Sequence, residues 1–313
     1  MSVLARVRSG CAAVAGAATH VTVDLGALDR LAGDLDRAEV PLLPEERPPA
    51  SAAGEEAVAA HVLAWNAVNF GSGWFPRLAK RPGLSGARTL AAGLHDHVAR
   101  SGPPAAGWLA AADAATCAAV FGQPHPGPVD DLLALFARAW RDLGALLTDR
   151  YDGSAATLVR DAGGSADRLV ATLGDMPLAR DVATYGGAEV AFYKRAQITV
   201  SHLARAFGGT GPGRFDDVDE LTAFADNLVP HVLRMAGVLV YDDGLADRIA
   251  RGVLLRPGSP AEVEIRACGV HAVELLAART GRAPAALDNA LWQRGQDPAI
   301  KAVPRHRCRC TFY

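Results

Sequence analysis

Eight separate segments of this chain repeat apolar residues at i, i+3, i+4 and i+7, the spacing of one face of an α-helix. They run from Leu25 to Leu35, Glu55 to Phe70, Gly86 to Arg100, Val129 to Arg150, Ala191 to Phe207, Val218 to Val229, Ala261 to Ala278 and Ala285 to Trp292. Between them stand helix breakers such as Arg81-Pro82-Gly83, Gly163-Gly164, Gly186-Gly187, Gly208 to Gly213 and Gly258-Ser259-Pro260. Alternating strand patterns are scarce, with one short candidate from His20 to Asp24. An all-α fold with at most a minor strand element is expected. Since 50% of the 313 residues are hydrophobic, a full core can be buried.

A Pro/Ala/Glu-rich stretch at 42–54 reads as an exposed linker behind an N-terminal helical piece, 1–41. That piece is too short to fold alone, so one domain over 1–313 is expected. The net charge of -2 disfavours a phosphate-backbone binder, which normally carries a basic face. Five cysteines, an odd number scattered through a long chain, do not form a disulfide framework and fit a reducing cytoplasm. Met1 to Thr19 lacks the strongly apolar run of a secretory signal, and no stretch supplies the roughly 20 apolar residues of a membrane span.

Several motifs have bland explanations. Gly208-Gly209-Thr210-Gly211-Pro212-Gly213 follows a helix and lacks the Lys-Ser/Thr ending of a phosphate loop, so a helix cap and turn accounts for it. His95 and His97 are two apart, which does not put two metal ligands on one helix face. His306, Cys308 and Cys310 have no second ligand pair. The acidic run Asp216, Asp217, Asp219 and Glu220 suits the start of a helix.

Three features carry more chemistry. Lys194, Gln197 and Ser201 share one face of an apolar helix, either as a functional stripe or as a solvated one. Asp226 lies in an apolar stretch four residues before Pro230, where a continuing helix would lose a hydrogen bond and kink. It is therefore a candidate for a buried carboxylate of perturbed pKa, or a helix-terminal cap. Glu262 and Arg266 are spaced to pair, while Asp288 and Trp292 set a carboxylate and an indole on one face.

Taken together, Trp65-Asn66-Ala67-Val68-Asn69-Phe70-Gly71-Ser72-Gly73-Trp74-Phe75-Pro76, Phe192-Tyr193-Lys194-Arg195-Ala196-Gln197, Phe224-Ala225-Asp226, Glu262-Val263-Glu264-Ile265-Arg266-Ala267, Leu287-Asp288-Asn289-Ala290-Leu291-Trp292 and the closing His306-Arg307 resemble the queuosine salvage family of queuosine 5'-phosphate N-glycosylase/hydrolase proteins. The resemblance spans nearly the whole chain. It implies a helical fold akin to DNA glycosylases and release of the 7-deazaguanine base queuine from queuosine 5'-phosphate, for reuse in tRNA modification. It further implies Asp226 as the catalytic carboxylate and Lys194 as its essential neighbour. Asn69, Phe70, Phe224, Asn227, Asp288 and Trp292 would form the base and ribose pocket. Lys194 together with Arg195 or Arg266 would hold the phosphate. In this scheme Asp288 accepts hydrogen bonds from the base edge, and no metal or cofactor takes part. The partner is a small nucleotide, without direct nucleic-acid or membrane contact. One departure is Asn227, where the family motif commonly has Tyr after the Asp, which leaves the exact base open. Two other readings stay open: a glycosidase for another purine nucleotide or nucleoside, and a non-catalytic deazapurine-binding protein.

Overall fold

Two long helices form the spines of two apolar clusters, and the computed structural model describes how the chain wraps them over residues 1–35 and 43–313. The order begins α1 (Val3–Ala17), β1 (Val21–Val23), α2 (Leu25–Asp34), α3 (Glu55–Ala67), α4 (Gly86–Ser101), α5 (Ala106–Ala110), α6 (Ala114–Phe121) and α7 (Asp130–Tyr151). It continues with α8 (Ala155–Asp161), α9 (Ala166–Gly174), β2 (Val182–Tyr185), β3 (Ala188–Ala191), α10 (Lys194–Ala206) and α11 (Val229–Met235). The last part is β4 (Leu239–Tyr241), α12 (Asp243–Ala250), α13 (Pro260–Thr280), α14 (Pro284–Arg294) and α15 (Pro298–Ala302). The fold is mostly α, as expected. Among the described residues no helix is long and apolar enough to cross a membrane.

The first cluster gathers the apolar faces of α3 to α10 around α7. Its centre is aromatic: Phe121, Phe136 and Trp140 are buried and in ring contact, with Phe70 edge-on to Phe136 at 5.0 Å. Trp140 keeps its indole N–H satisfied by donating to the Ala64 carbonyl at 2.9 Å, tying α7 to α3. The second cluster packs α1, α2, α11, α12 and α14 around α13, which is buried almost all round from Ala261 to Val273, as a central helix must be. Tyr193 touches both clusters.

The strands are short and form two antiparallel pairs, β1 with β4 and β2 with β3. The first lies where the His20 to Asp24 pattern places it. The second is a hairpin closed by Gly186 and Gly187, whose φ values of 56° and 82° give the two left-handed residues that a tight hairpin turn requires. The glycine pair read as a helix breaker is thus a strand connector.

Two further differences from the periodicity reading bear on the site. The expected helix Val218 to Val229 is absent: one 3-10 turn at Val218–Glu220 is followed by backbone that is neither helix nor strand through Asp226. Buried Thr222 explains the missing helix, because its N–H donates to Gln197 Oε1 at 2.8 Å and its hydroxyl accepts from Gln197 Nε2 at 2.9 Å. Pro230 then sits in the first turn of α11, where a missing N–H costs nothing, instead of kinking a longer helix. The other difference is in the stretch 42–54. Pro44–Glu46 makes a 3-10 turn and Ala52 is buried, while residues 36–42, where the N-terminal piece was expected to end and the linker to begin, lie outside the described residues.

Candidate active site

A cavity of about 470 Å³ opens where residues from both clusters meet. The turn after α3 contributes Asn69 and Phe70, the first residue of α10 contributes Lys194, and the irregular segment before α11 contributes Phe224, Asp226 and Asn227. One turn apart on α14, Asp288 and Trp292 complete the set. Eight of the ten residues singled out in the sequence therefore line one cavity.

Lys194 is fixed from behind. Tyr193 takes a left-handed conformation (φ 50°), which breaks the chain out of β3 and starts α10. The Asp181 carbonyl accepts the N–H groups of Phe192 and Tyr193, and Asp181 Oδ2 accepts the N–H of Lys194 at 3.1 Å. Asp181 is in turn held by Arg266, whose two terminal nitrogens donate to its carboxylate at 2.9 and 2.6 Å. A third Arg266 donor, Nε, reaches the Ala225 carbonyl at 3.0 Å, next to Asp226. The guanidinium lies 4.0 Å over the Phe192 ring, and Glu262 stands 3.8 Å away. Arg266 is 1% exposed, so one fully buried cation braces both the lysine and the carboxylate segments.

Asp226 Oδ1 accepts the N–H groups of Leu228 and Val229 at 2.8 and 2.9 Å, just ahead of α11. Oδ2 accepts no hydrogen bond among the described residues. Burial raises the Asp226 pKa above the ordinary carboxylate value, against the opposing pull of Lys194. Lys194 shows the converse: burial lowers its pKa while Asp226 raises it. Its Nζ donates to the Asn69 carbonyl at 3.2 Å, and no direct ion pair joins it to Asp226. Deeper in, Asp288 Oδ1 accepts the Phe224 N–H at 2.9 Å. Burial, then the negative charge of Asp226, pushes the Asp288 pKa well above the usual range. Two carboxyl groups so placed do not readily ionise together.

Arg195 and Arg266 do not line this cavity. Arg195 donates to the carbonyls of Ala67 and Leu178 and stacks 4.9 Å over Phe70, bracing the wall from outside. Both lie outside the cavity, with the terminal nitrogens of each committed to protein groups, so neither arginine is placed to meet a ligand's phosphate. Asn227 lines the cavity, yet its amide donates to Ser72 Oγ at 3.1 Å and the His306 carbonyl at 3.2 Å, so it joins the Ser72 turn to the C-terminal segment.

Lys301, Arg305 and Tyr313 also line the cavity and were not found in the sequence. Their only signal was a basic C-terminal segment without helical periodicity. Buried His202 is another, pushed down to about 3 by burial and so neutral near pH 7; its Nδ1 lies 3.2 Å from Asn66 Nδ2. Among the described residues no three His, Cys, Asp or Glu side chains converge as a metal-binding group.

A mostly helical chain that walls two carboxyl groups and an ammonium into a cavity faced by Phe70, Phe224 and Trp292 has the build of a small-molecule enzyme acting on a flat, polar substrate. The model of the queuosine salvage protein family matches residues 50–313, and the chain belongs to that family. A relative from Sphaerobacter thermophilus is 40% identical over 272 residues, covering 83% of each chain. A mouse relative is 35% identical over 191 residues, 56% of each chain. One from Dictyostelium discoideum is 37% identical over 182 residues, 56% of this chain and 57% of its own. All three bear the name queuosine 5'-phosphate N-glycosylase/hydrolase.

Proposed function

We propose that this chain hydrolyses the N-glycosidic bond of queuosine 5'-phosphate and releases queuine for salvage into tRNA modification. It acts in the cytoplasm on the free nucleotide, without contacting nucleic acid directly. The observation that carries the site assignment is the grouping of Asp226, Lys194 and Asp288 on one cavity between aromatic faces. The chain works as one unit, because that cavity draws on both apolar clusters.

As the bond between C1' and the base nitrogen breaks, positive charge grows on the ribose. The Asp226 carboxylate, with Oδ1 anchored and Oδ2 available, stabilises that charge and takes the proton of the attacking water. Lys194 keeps Asp226 ionised against the cost of burial. The electron pair of the broken bond leaves on the base, and a 7-deazaguanine has no N7 to protonate. Asp288 answers this need. Its pKa favours the neutral form, and with Oδ1 engaged by Phe224 its proton sits on Oδ2, from which it is donated to the carbonyl oxygen of the departing base. A donor role thus takes the place of the acceptor role expected from the sequence. Phe70, Phe224 and Trp292 supply apolar faces for the ring.

Base release from queuosine 5'-phosphate, followed by liquid chromatography beside queuosine and GMP, tests this reading. Queuine is expected from the first substrate and no guanine from GMP. Failure to release queuine, with the ligand nevertheless bound, would turn the chain into a carrier.

The pH profile of kcat/KM is a second check. Asp226 must be ionised and its pKa is raised, so activity is lost on the acid side at a pH above the ordinary carboxylate range. Asp288 and Lys194 must both hold their protons, the first with a raised pKa and the second with a lowered one, so the alkaline loss begins below the ordinary lysine value, with whichever group gives up its proton first. An acid limb at the value of a free aspartate would exclude Asp226 as the titrating group.

A further inference from the structure

The substrate class proposed above carries a 5'-phosphate, and the cavity has to place that dianion away from Asp226 and Asp288. Lys194 stands beside both acids with its ammonium bonded to Asn69. Arg195 and Arg266 lie outside the cavity. Four other cations line it, Lys80, Arg205, Lys301 and Arg305, and the last two stand together on the C-terminal segment. Arg305 is half-buried, and Lys301, in the last turn of α15, is exposed. Neither side chain makes a hydrogen bond or ion pair among the described residues. They repel one another, Arg88 adds to the repulsion on Lys301, and Arg307 to that on Arg305. Arg305 and Lys301, like charges held close together with no bond of their own from either side chain, favour an anion that enters between them. Arg305 is also close enough to Asp226 for each to feel the other's charge. A ribose whose C1' rests on Asp226 therefore has its 5' substituent within the reach of this side chain. The amino end of α4, at Ser85–Ala87, lines the same cavity and adds the positive end of its dipole.

We propose that Arg305, assisted by Lys301, binds the 5'-phosphate of the substrate and gives the enzyme its preference for the nucleotide over the nucleoside. The guanidinium offers the phosphate a two-pronged donor and the lysine a point charge.

This inference rests on the hydrolase reading, and one set of assays separates the two. Wild type, Arg305→Ala, Arg305→Lys and Lys301→Ala are compared on queuosine 5'-phosphate and queuosine. Ribose 5-phosphate affinity is measured by calorimetry, so that the answer holds even where the nucleoside turns over too slowly to follow. Arg305→Ala is expected to lower the nucleotide-to-nucleoside ratio of kcat/KM, and the affinity for ribose 5-phosphate, by roughly 10- to 100-fold, the range for losing a hydrogen bond to a charged group. Lys301→Ala, which is exposed and least able to disturb folding, is expected to lower both in the same direction by less. Arg305→Lys is expected to restore part of the affinity. Loss in equal proportion on both substrates, with ribose 5-phosphate binding intact, would make Arg305 a support for Asp226 and overturn the phosphate assignment. A wild type inactive on both substrates would remove the hydrolase reading itself.

Discussion

Asp226→Asn is expected to reduce base release from queuosine 5'-phosphate by on the order of 10³-fold while substrate binding changes only a few-fold. The substitution is nearly isosteric. An amide oxygen can still accept the N–H groups of Leu228 and Val229 that Oδ1 accepts now, so the start of α11 should stay in place. What disappears is the negative charge at the ribose and the capacity to take a proton from water. The effect should fall on kcat, because the charge is needed most where the oxocarbenium-like state forms. Single-turnover rates and calorimetric binding on the same preparation would separate the two quantities. Retention of more than a tenth of the wild-type rate would move the catalytic role elsewhere on the cavity wall.

Arg266→Ala is expected to destabilise the fold by about 3–5 kcal/mol, the cost of leaving a buried charge without its partner. Asp181 would keep its carboxylate in the core with both Arg266 hydrogen bonds gone, and Glu262 would lose the cation 3.8 Å away. The aromatic faces of Phe192 and Tyr313, now 4.0 and 5.0 Å from the guanidinium, would border a void. Urea unfolding reads the loss as a lower midpoint at unchanged slope. Arg266→Lys should recover only part of it, since one ammonium cannot span two Asp181 oxygens and the Ala225 carbonyl in the plane of a guanidinium. A loss below about 1 kcal/mol for the alanine variant, as at exposed ion pairs, would mean that water reaches the Asp181 carboxylate.

The helices were legible where amphipathic spacing is strong, as in α7 and α13, and the cavity was legible where its residues sit in short distinctive runs. Asp288 and Trp292 are one helical turn apart, so their shared wall follows from spacing. Other parts had no such signal. Asp181 lies between α9 and β2, far in sequence from Arg266, and nothing local marks it as the acid that seats Lys194. The segment Val218 to Val229 has helical spacing, but Thr222 and Gln197 keep it out of a helix through contacts 25 residues apart in sequence, which periodicity does not record. Arg195 and Arg266 were assigned to a phosphate because they are basic and neighbour the right motifs. Their terminal nitrogens are committed to carbonyl and carboxylate groups of the protein instead, a matter of three-dimensional neighbours. Arg305 carries no local mark, because an arginine in an irregular basic tail looks like ordinary surface.

The brace that joins Lys194 and Asp226 through one guanidinium has a consequence for how variants of this enzyme are ranked. Arg266 does not line the cavity, yet it bonds the acid that seats Lys194 and the carbonyl adjoining Asp226. In a screen scored on total product, its replacement would be indistinguishable from loss of the catalytic aspartate. Scored per folded molecule and at low temperature, the two would part company: Asp226→Asn would remain inert at full occupancy of the native state, whereas Arg266 variants would regain turnover as their folded fraction recovers.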